Sequence, residues 1–154
     1  GDWTNQRETM TMRTIKFRGK RIDNGNWVAG ELLHVAGSCL IYFPNDSGTE
    51  PLAISEHNII AVEIFRDEIA VVAPDTVGQF SGLLDKNGKE IYEGDIVRYY
   101  DDIEDELVDA PVIFHSASCS FCTQPPRFGD PVGLCVHWQF EVLGNIHDTP
   151  ELIK

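Results

Sequence analysis

The chain has 154 residues, 42% of them hydrophobic and 10% aromatic, enough for one buried core and short for two. Twelve lysines and arginines against 25 aspartates and glutamates give a net charge of -13, which opposes general affinity for nucleic acid, because phosphates are held by cations. No apolar run reaches the ~18 residues of a membrane helix, the N-terminal GDWTNQRETMT lacks the apolar core of an export signal, and four cysteines are too few for a disulfide scaffold. The expectation is a cytoplasmic protein without membrane association, its Cys39, Cys119, Cys122 and Cys135 kept as thiols or metal ligands.

Residues 1–11 show no apolar period and read as a flexible leader or cloning remnant, leaving 12–154 as a single domain. In TIKFR, Ile15 and Phe17 alternate with Thr14, Lys16 and Arg18, the period of a half-buried strand. Arg13, Lys16, Arg18, Lys20 and Arg21 give that strand a basic outer face. The DNGN of residues 23–26 predicts a hairpin turn into NWVAGELLHV. SCLIYF and EIAVVA are short, β-branched and bounded by Gly, Asn or Pro, so both read as strands. SEHNIIAVEIF, residues 55–65, fits a short helix capped by Ser55 and a strand about equally well, and is read as a strand after a turn.

GLLDKNGKEIYEGDIV, residues 82–97, offers two readings of its Asp, Asn and Gly cluster. As a calcium loop it fails, because Gly88 arrives at position four, Lys89 sits at five and Ile96 at twelve, where oxygen ligands are needed. As a hairpin it works: Asn87 and Gly88 suit a type I′ turn, and Gly94 with Asp95 makes a corner ahead of the strand that Ile96 and Val97 begin. Asp101, Asp102, Glu104, Asp105, Glu106 and Asp109 then crowd an acidic segment that reads as a mobile, solvated loop. From Val132 to Val142 strict alternation predicts one long strand or a bent pair covering the core. Many short strands and no long amphipathic helix predict a mainly β fold, a small barrel or roll with additional hairpins.

Chemistry has few footholds. Cys119 and Cys122 have the Cys-x-x-Cys spacing of a zinc knuckle, and alternation puts Cys135 and His137 on one face, so the four form an incomplete zinc signature. The alternative is that the cysteines are small core residues, with no cofactor at all. A Cys-His nucleophile, Cys119 or Cys135 with His115 or His137, is the enzymatic rival, but the short motifs of hydrolases, nucleotide-binding loops and zinc proteases are missing from the sequence. The chain therefore reads as noncatalytic.

Three blocks carry a family resemblance: MRTIKFRGKR, DTVGQFSGLLDKNGKEIYEGDIVRY and FEVLGNIHDTPELI. The sequence resembles the YopX-like family of bacteriophage and prophage proteins, with little likeness between about Tyr100 and Pro131. The resemblance implies a phage-derived protein in a bacterial cytoplasm, a β-rich fold similar to an SH3-type barrel or roll, and no catalytic residues to carry over. The resulting expectation is a module that self-associates or binds a phage or host protein, the basic strand meeting the acidic segment between copies. The alternatives are a nucleic-acid role, by weak binding through the basic strand or by mimicry through the acidic segment, and a zinc or Cys-His enzyme.

Overall fold

The computed structural model describes residues 13–43, 69–127, 129–135 and 139–153. The leader, the 55–65 segment and His137 lie outside the described residues. The strands are Phe17–Lys20 (β1), Trp27–Val35 (β2), Ser38–Tyr42 (β3), Ile69–Val72 (β4), Gly78–Leu84 (β5), Glu90–Tyr92 (β6), Asp95–Asp101 (β7), Glu106–His115 (β8), Ser120–Thr123 (β9), Val132–Gly133 (β10) and Glu141–Asn145 (β11). Two short 3-10 turns, Pro74–Thr76 and Pro150–Leu152, complete the described elements.

The strands form two antiparallel sheets, ordered β4-β3-β2-β1-β5-β6 and β10-β9-β8-β7-β11. The fold is mainly β as expected, but among the described residues neither sheet closes into a barrel. The first sheet only curls: Arg21 bridges Val72, the Ala73 N–H donates to the Lys20 carbonyl at 2.8 Å, and the Ile22 N–H to the Val71 carbonyl at 3.1 Å. One isolated bridge covers part of the β4 edge without making a continuous ladder.

Each sheet encloses its own core because apolar residues recur every second position. Cys39 and Ile41 of β3 and Val72 of β4 pack with Phe17, Val28 and Leu32 inside the curl. Val97 and Tyr99 of β7 and Val108, Ala110 and Val112 of β8 form the second core, closed by Ile91 and Phe140. The Tyr99 and Phe140 rings meet edge-on at 5.2 Å, a geometry favoured by their opposed edge and face charges.

Several expectations are corrected in detail. The β5–β6 hairpin exists, but Gly88 alone takes the left-handed conformation, at φ 82°, and Asn87 does not. The Gly88 N–H returns to the Asp85 carbonyl at 3.0 Å and the Asp85 N–H to the Lys89 carbonyl at 2.7 Å, which is a turn followed by a bulge and not a two-residue I′ turn. The alternation from Val132 to Val142 survives as a core-facing row of Leu134, Phe140 and Val142, but the strand does not. Gln139 turns at φ 44°, and β10 and β11 end at opposite edges of the second sheet. The acidic segment is no loose loop. It is the tip of the β7–β8 hairpin, with buried Asp101 accepting from the Ile103 N–H at 2.9 Å and the Glu104 N–H at 3.3 Å.

Asp85 explains what the failed calcium loop is for. Its carboxylate accepts from the N–H groups of Asn87 at 2.8 Å and Lys89 at 2.9 Å, and its other oxygen from Val142 at 3.0 Å, so one buried side chain fixes the turn and clips β11 beside it. Burial is the largest influence on this carboxyl and acts upward, yet the three N–H donors together hold its pKa below the ordinary value. Asp85→Ala, which leaves three donors unsatisfied, is expected to cost about 2–4 kcal/mol in urea denaturation. Gly88→Val, which forces a β-branched residue to positive φ, is expected to cost about 1–2 kcal/mol. An Asp85→Ala loss no larger than that of Gly88→Val would mean the carboxylate does not organise the turn.

Candidate functional site

Strand pleat puts Lys16, Arg18 and Lys20 on one face, as their alternation predicts, but that face is only partly open to solvent. β1 lies between β2 and β5, so it has neighbours on both edges and the chain folds over it. Each cation meets a carboxylate: Lys16 with Glu90, Arg18 with Asp95 at 2.6 Å, and Lys20 with Asp148 at 2.5 Å. Each also lies over an aromatic ring, Lys16 at 5.2 Å from Phe80 and Lys20 at 5.9 Å from Trp27. Arg18 has two, with its guanidinium carbon 4.8 Å from the Trp27 centroid and 5.0 Å from that of Tyr92.

Arg18 is the centre of this row. Its side chain is only 13% exposed and that of Asp95 2%. Arg18 Nη2 also donates to the Glu93 carbonyl at 3.2 Å, and Asp95 Oδ2 accepts the Tyr92 N–H at 2.8 Å. The corner at Gly94 thus presents one carbonyl and one carboxylate to a single guanidinium, matching its fork of donors. The approach needs a bare neighbour: a Cβ at Gly78 would stand 2.5 Å from the Glu93 oxygen. Burial pushes the Asp95 carboxyl up, while the Arg18 charge and the Tyr92 N–H pull it down.

The C-terminal loop seals the outer end. Asp148 accepts from Lys20, from Trp27 Nε1 at 2.7 Å and from Asn145 Nδ2 at 3.1 Å, and these bonds, that of Lys20 first, hold its carboxyl well below the usual range. His147 stacks obliquely on Trp27, centroids 5.8 Å apart. At the inner end the Tyr92 hydroxyl donates to Glu90 at 2.7 Å. Sequence reading missed Trp27, Tyr92 and Asp148 here, although the Asn-x-x-Asp of NIHD signals a side-chain-bonded turn. Asn145 Oδ1 accepts the His147 and Asp148 N–H groups, both at 2.9 Å.

The other candidates do not assemble in this way. Arg21 pairs with Asp23 beside it, Arg13 is exposed ahead of β1, and the Asp101–Asp109 hairpin meets none of the basic strand's cations among its ion pairs. Arg98 takes Asp109 instead, at 2.7 and 2.8 Å. Cys119 is exposed in the β8–β9 turn at φ 50°, Cys122 is buried on β9, Cys135 is half-buried after β10, and Cys39 belongs to the other core. Among the described residues no three His, Cys, Asp or Glu side chains form a metal-holding group. His115 Nδ1 bonds the Ser118 hydroxyl at 2.9 Å, and Cys119 Sγ faces the Ser116 carbonyl at 3.4 Å.

Apart from Trp27, the residues that meet around Arg18 come from the start, middle and end of the chain, in the three blocks quoted above. The profile of the YopX protein family matches residues 16–154. The chain belongs to the YopX family. No curated protein matches it. Among solved structures, protein EF1440 from Enterococcus faecalis is similar over 93% of this chain and 100% of its own, at 20% identity and a TM-score of 0.47, a likeness too loose to carry residue roles. In this YopX chain the cluster acts as a clasp: it ties β1, the β6–β7 corner and the C-terminal loop to one another.

Two outcomes test that role. Arg18→Leu strands a buried carboxylate and is expected to cost about 3–5 kcal/mol in urea denaturation, much of which Arg18→Leu with Asp95→Leu restores. Equal losses in the single and double variants would show that the charge pair is not what matters. For Asp148 the folded pKa lies below the unfolded one, so its stabilisation is present above the ordinary carboxylate range and is lost as pH falls from there through the lower folded value. The melting temperature is expected to fall below about pH 4, and to fall less steeply in Asp148→Asn. Parallel curves for the two proteins would remove Asp148 from the account.

Proposed function

We propose that this YopX chain is a noncatalytic binding module, encoded by a phage or prophage and acting on a protein in the bacterial cytoplasm. The observation that carries the reading is the saturation of the basic strand. Lys16, Arg18 and Lys20 are engaged by the chain's own Glu90, Asp95 and Asp148, so this row of polar side chains is spent on holding the chain together. Such a cluster offers a substrate little, and it offers nucleic acid few cations.

The same saturation shapes the partner. A second copy brings the same engaged cations and the same excess of carboxylates, so self-association between basic strand and acidic hairpin loses its motive force. A different protein is the better complement.

The full chain is expected to stay monomeric in light scattering from low to high salt. Cross-linked affinity capture from a bacterial host extract is expected to retain a protein in stoichiometric amount. A salt-sensitive dimer would replace the reading with self-association, and a gel shift with nucleic acid at low salt, with no protein retained, would replace it with nucleic-acid binding.

A further inference from the structure

The β7–β8 hairpin runs on past the second core. Tyr99 and Val108 pair across it and point inward, so the next pair, Tyr100 opposite Leu107, points outward by the pleat. Tyr100 and Leu107 are exposed, and Ile103 at the turn is 85% exposed. These three apolar side chains stand on a well-built support. Asp101 holds the turn from inside, the Tyr100 hydroxyl donates to Asp105, and Arg98 grips Asp109 at the base through two bonds. Leu107 also borders a cavity of about 180 Å³ whose lining carries Glu106 and Asp109 against one cation, Arg127, beside Pro125 and Pro126. Asp102 and Glu104 flank Ile103 at the turn and Glu106 borders the same cavity as Leu107, and none of the three has an ion pair among the described residues.

We infer that this hairpin docks a cationic, amphipathic segment of another protein. An apolar side chain of that segment seats against Tyr100, Ile103 and Leu107, and its flanking lysines or arginines meet Asp102, Glu104 and Glu106. Charge decides the occupant. The chain carries -13, a second copy presents the same carboxylates with its basic strand already engaged, and nucleic acid is repelled, which leaves a basic protein segment. Apolar seats ringed by charge are also the usual division of labour at an interface, with burial giving affinity and charge giving selectivity. The inference rests on the protein-binding reading above and adds where the partner sits and what it is made of.

The test uses the full chain and labelled short peptides that alternate lysine with valine, lysine with serine, or glutamate with valine, read by fluorescence anisotropy. The lysine-valine peptide is expected to bind and to lose affinity with salt, the lysine-serine peptide to bind more weakly, and the glutamate-valine peptide not to bind. The variants Ile103→Ser with Leu107→Ser, and Asp102→Asn with Glu104→Gln and Glu106→Gln, are each expected to weaken the lysine-valine complex at least about tenfold with unchanged melting temperature. Unchanged binding by both variants, or equal binding of the lysine-valine and lysine-serine peptides, overturns the docking surface. Host-extract capture separates the two levels. A protein retained equally by wild type and both variants overturns the hairpin and leaves the binding module standing, whereas a chain that retains no protein and binds no peptide overturns both.

Discussion

The fold depends on one buried charge pair. Arg18 and Asp95 are withdrawn from water, and such a pair is costly unless most of its other donors and acceptors are met, as they are here except at the buried Arg18 Nε. Here the surroundings are the Trp27 ring from β2 and, from the β6–β7 corner, the Tyr92 ring, the Glu93 carbonyl and the Tyr92 N–H. A buried ion pair adds little net stability compared with apolar packing, but it is intolerant of misplacement. Its effect is therefore to select one arrangement of the two sheets over others with similar burial.

Asp85 and Asp101 repeat the device with backbone in place of a cation. Each is a buried carboxylate at a hairpin turn, satisfied by N–H groups of the turn itself, and Asp85 reaches one donor further to Val142. Much of the chain's acidity is thus structural at these points, while the rest decorates the surface. The net charge counts both kinds alike. That is why the charge total excludes partners well and locates sites badly.

Sequence reading recovered most strands because their cores follow a two-residue period: Cys39 and Ile41, Ala70 and Val72, and Val97 and Tyr99 all face inward. It also grouped Lys16, Arg18 and Lys20 on one face. It assigned that face to water because periodicity reports which residues are neighbours, and nothing local reports that Glu90, Asp95 and Asp148 arrive from later in the chain. β8 was missed for a different reason. Val108, Ala110 and Val112 alternate correctly, but Glu106, Asp109 and Pro111 between them imitate a loop. In the 132–142 stretch the pattern was right about the core and wrong about the strand, because a turn at Gln139 preserves the parity of the faces it separates.

The clasp also has a consequence for how the chain comes to be folded. Lys20 and Trp27 meet Asp148 across 128 and 121 residues of sequence. Contacts of such separation contribute nothing until the intervening chain exists, and they carry a large loop-closure entropy when they form. At ordinary rates of translation the first strand waits on the order of 10 s for its last partner. During that interval the outward cations and rings of β1 and β2 are without Asp148. The N-terminal hairpin is thus made early and meets Asp148 late.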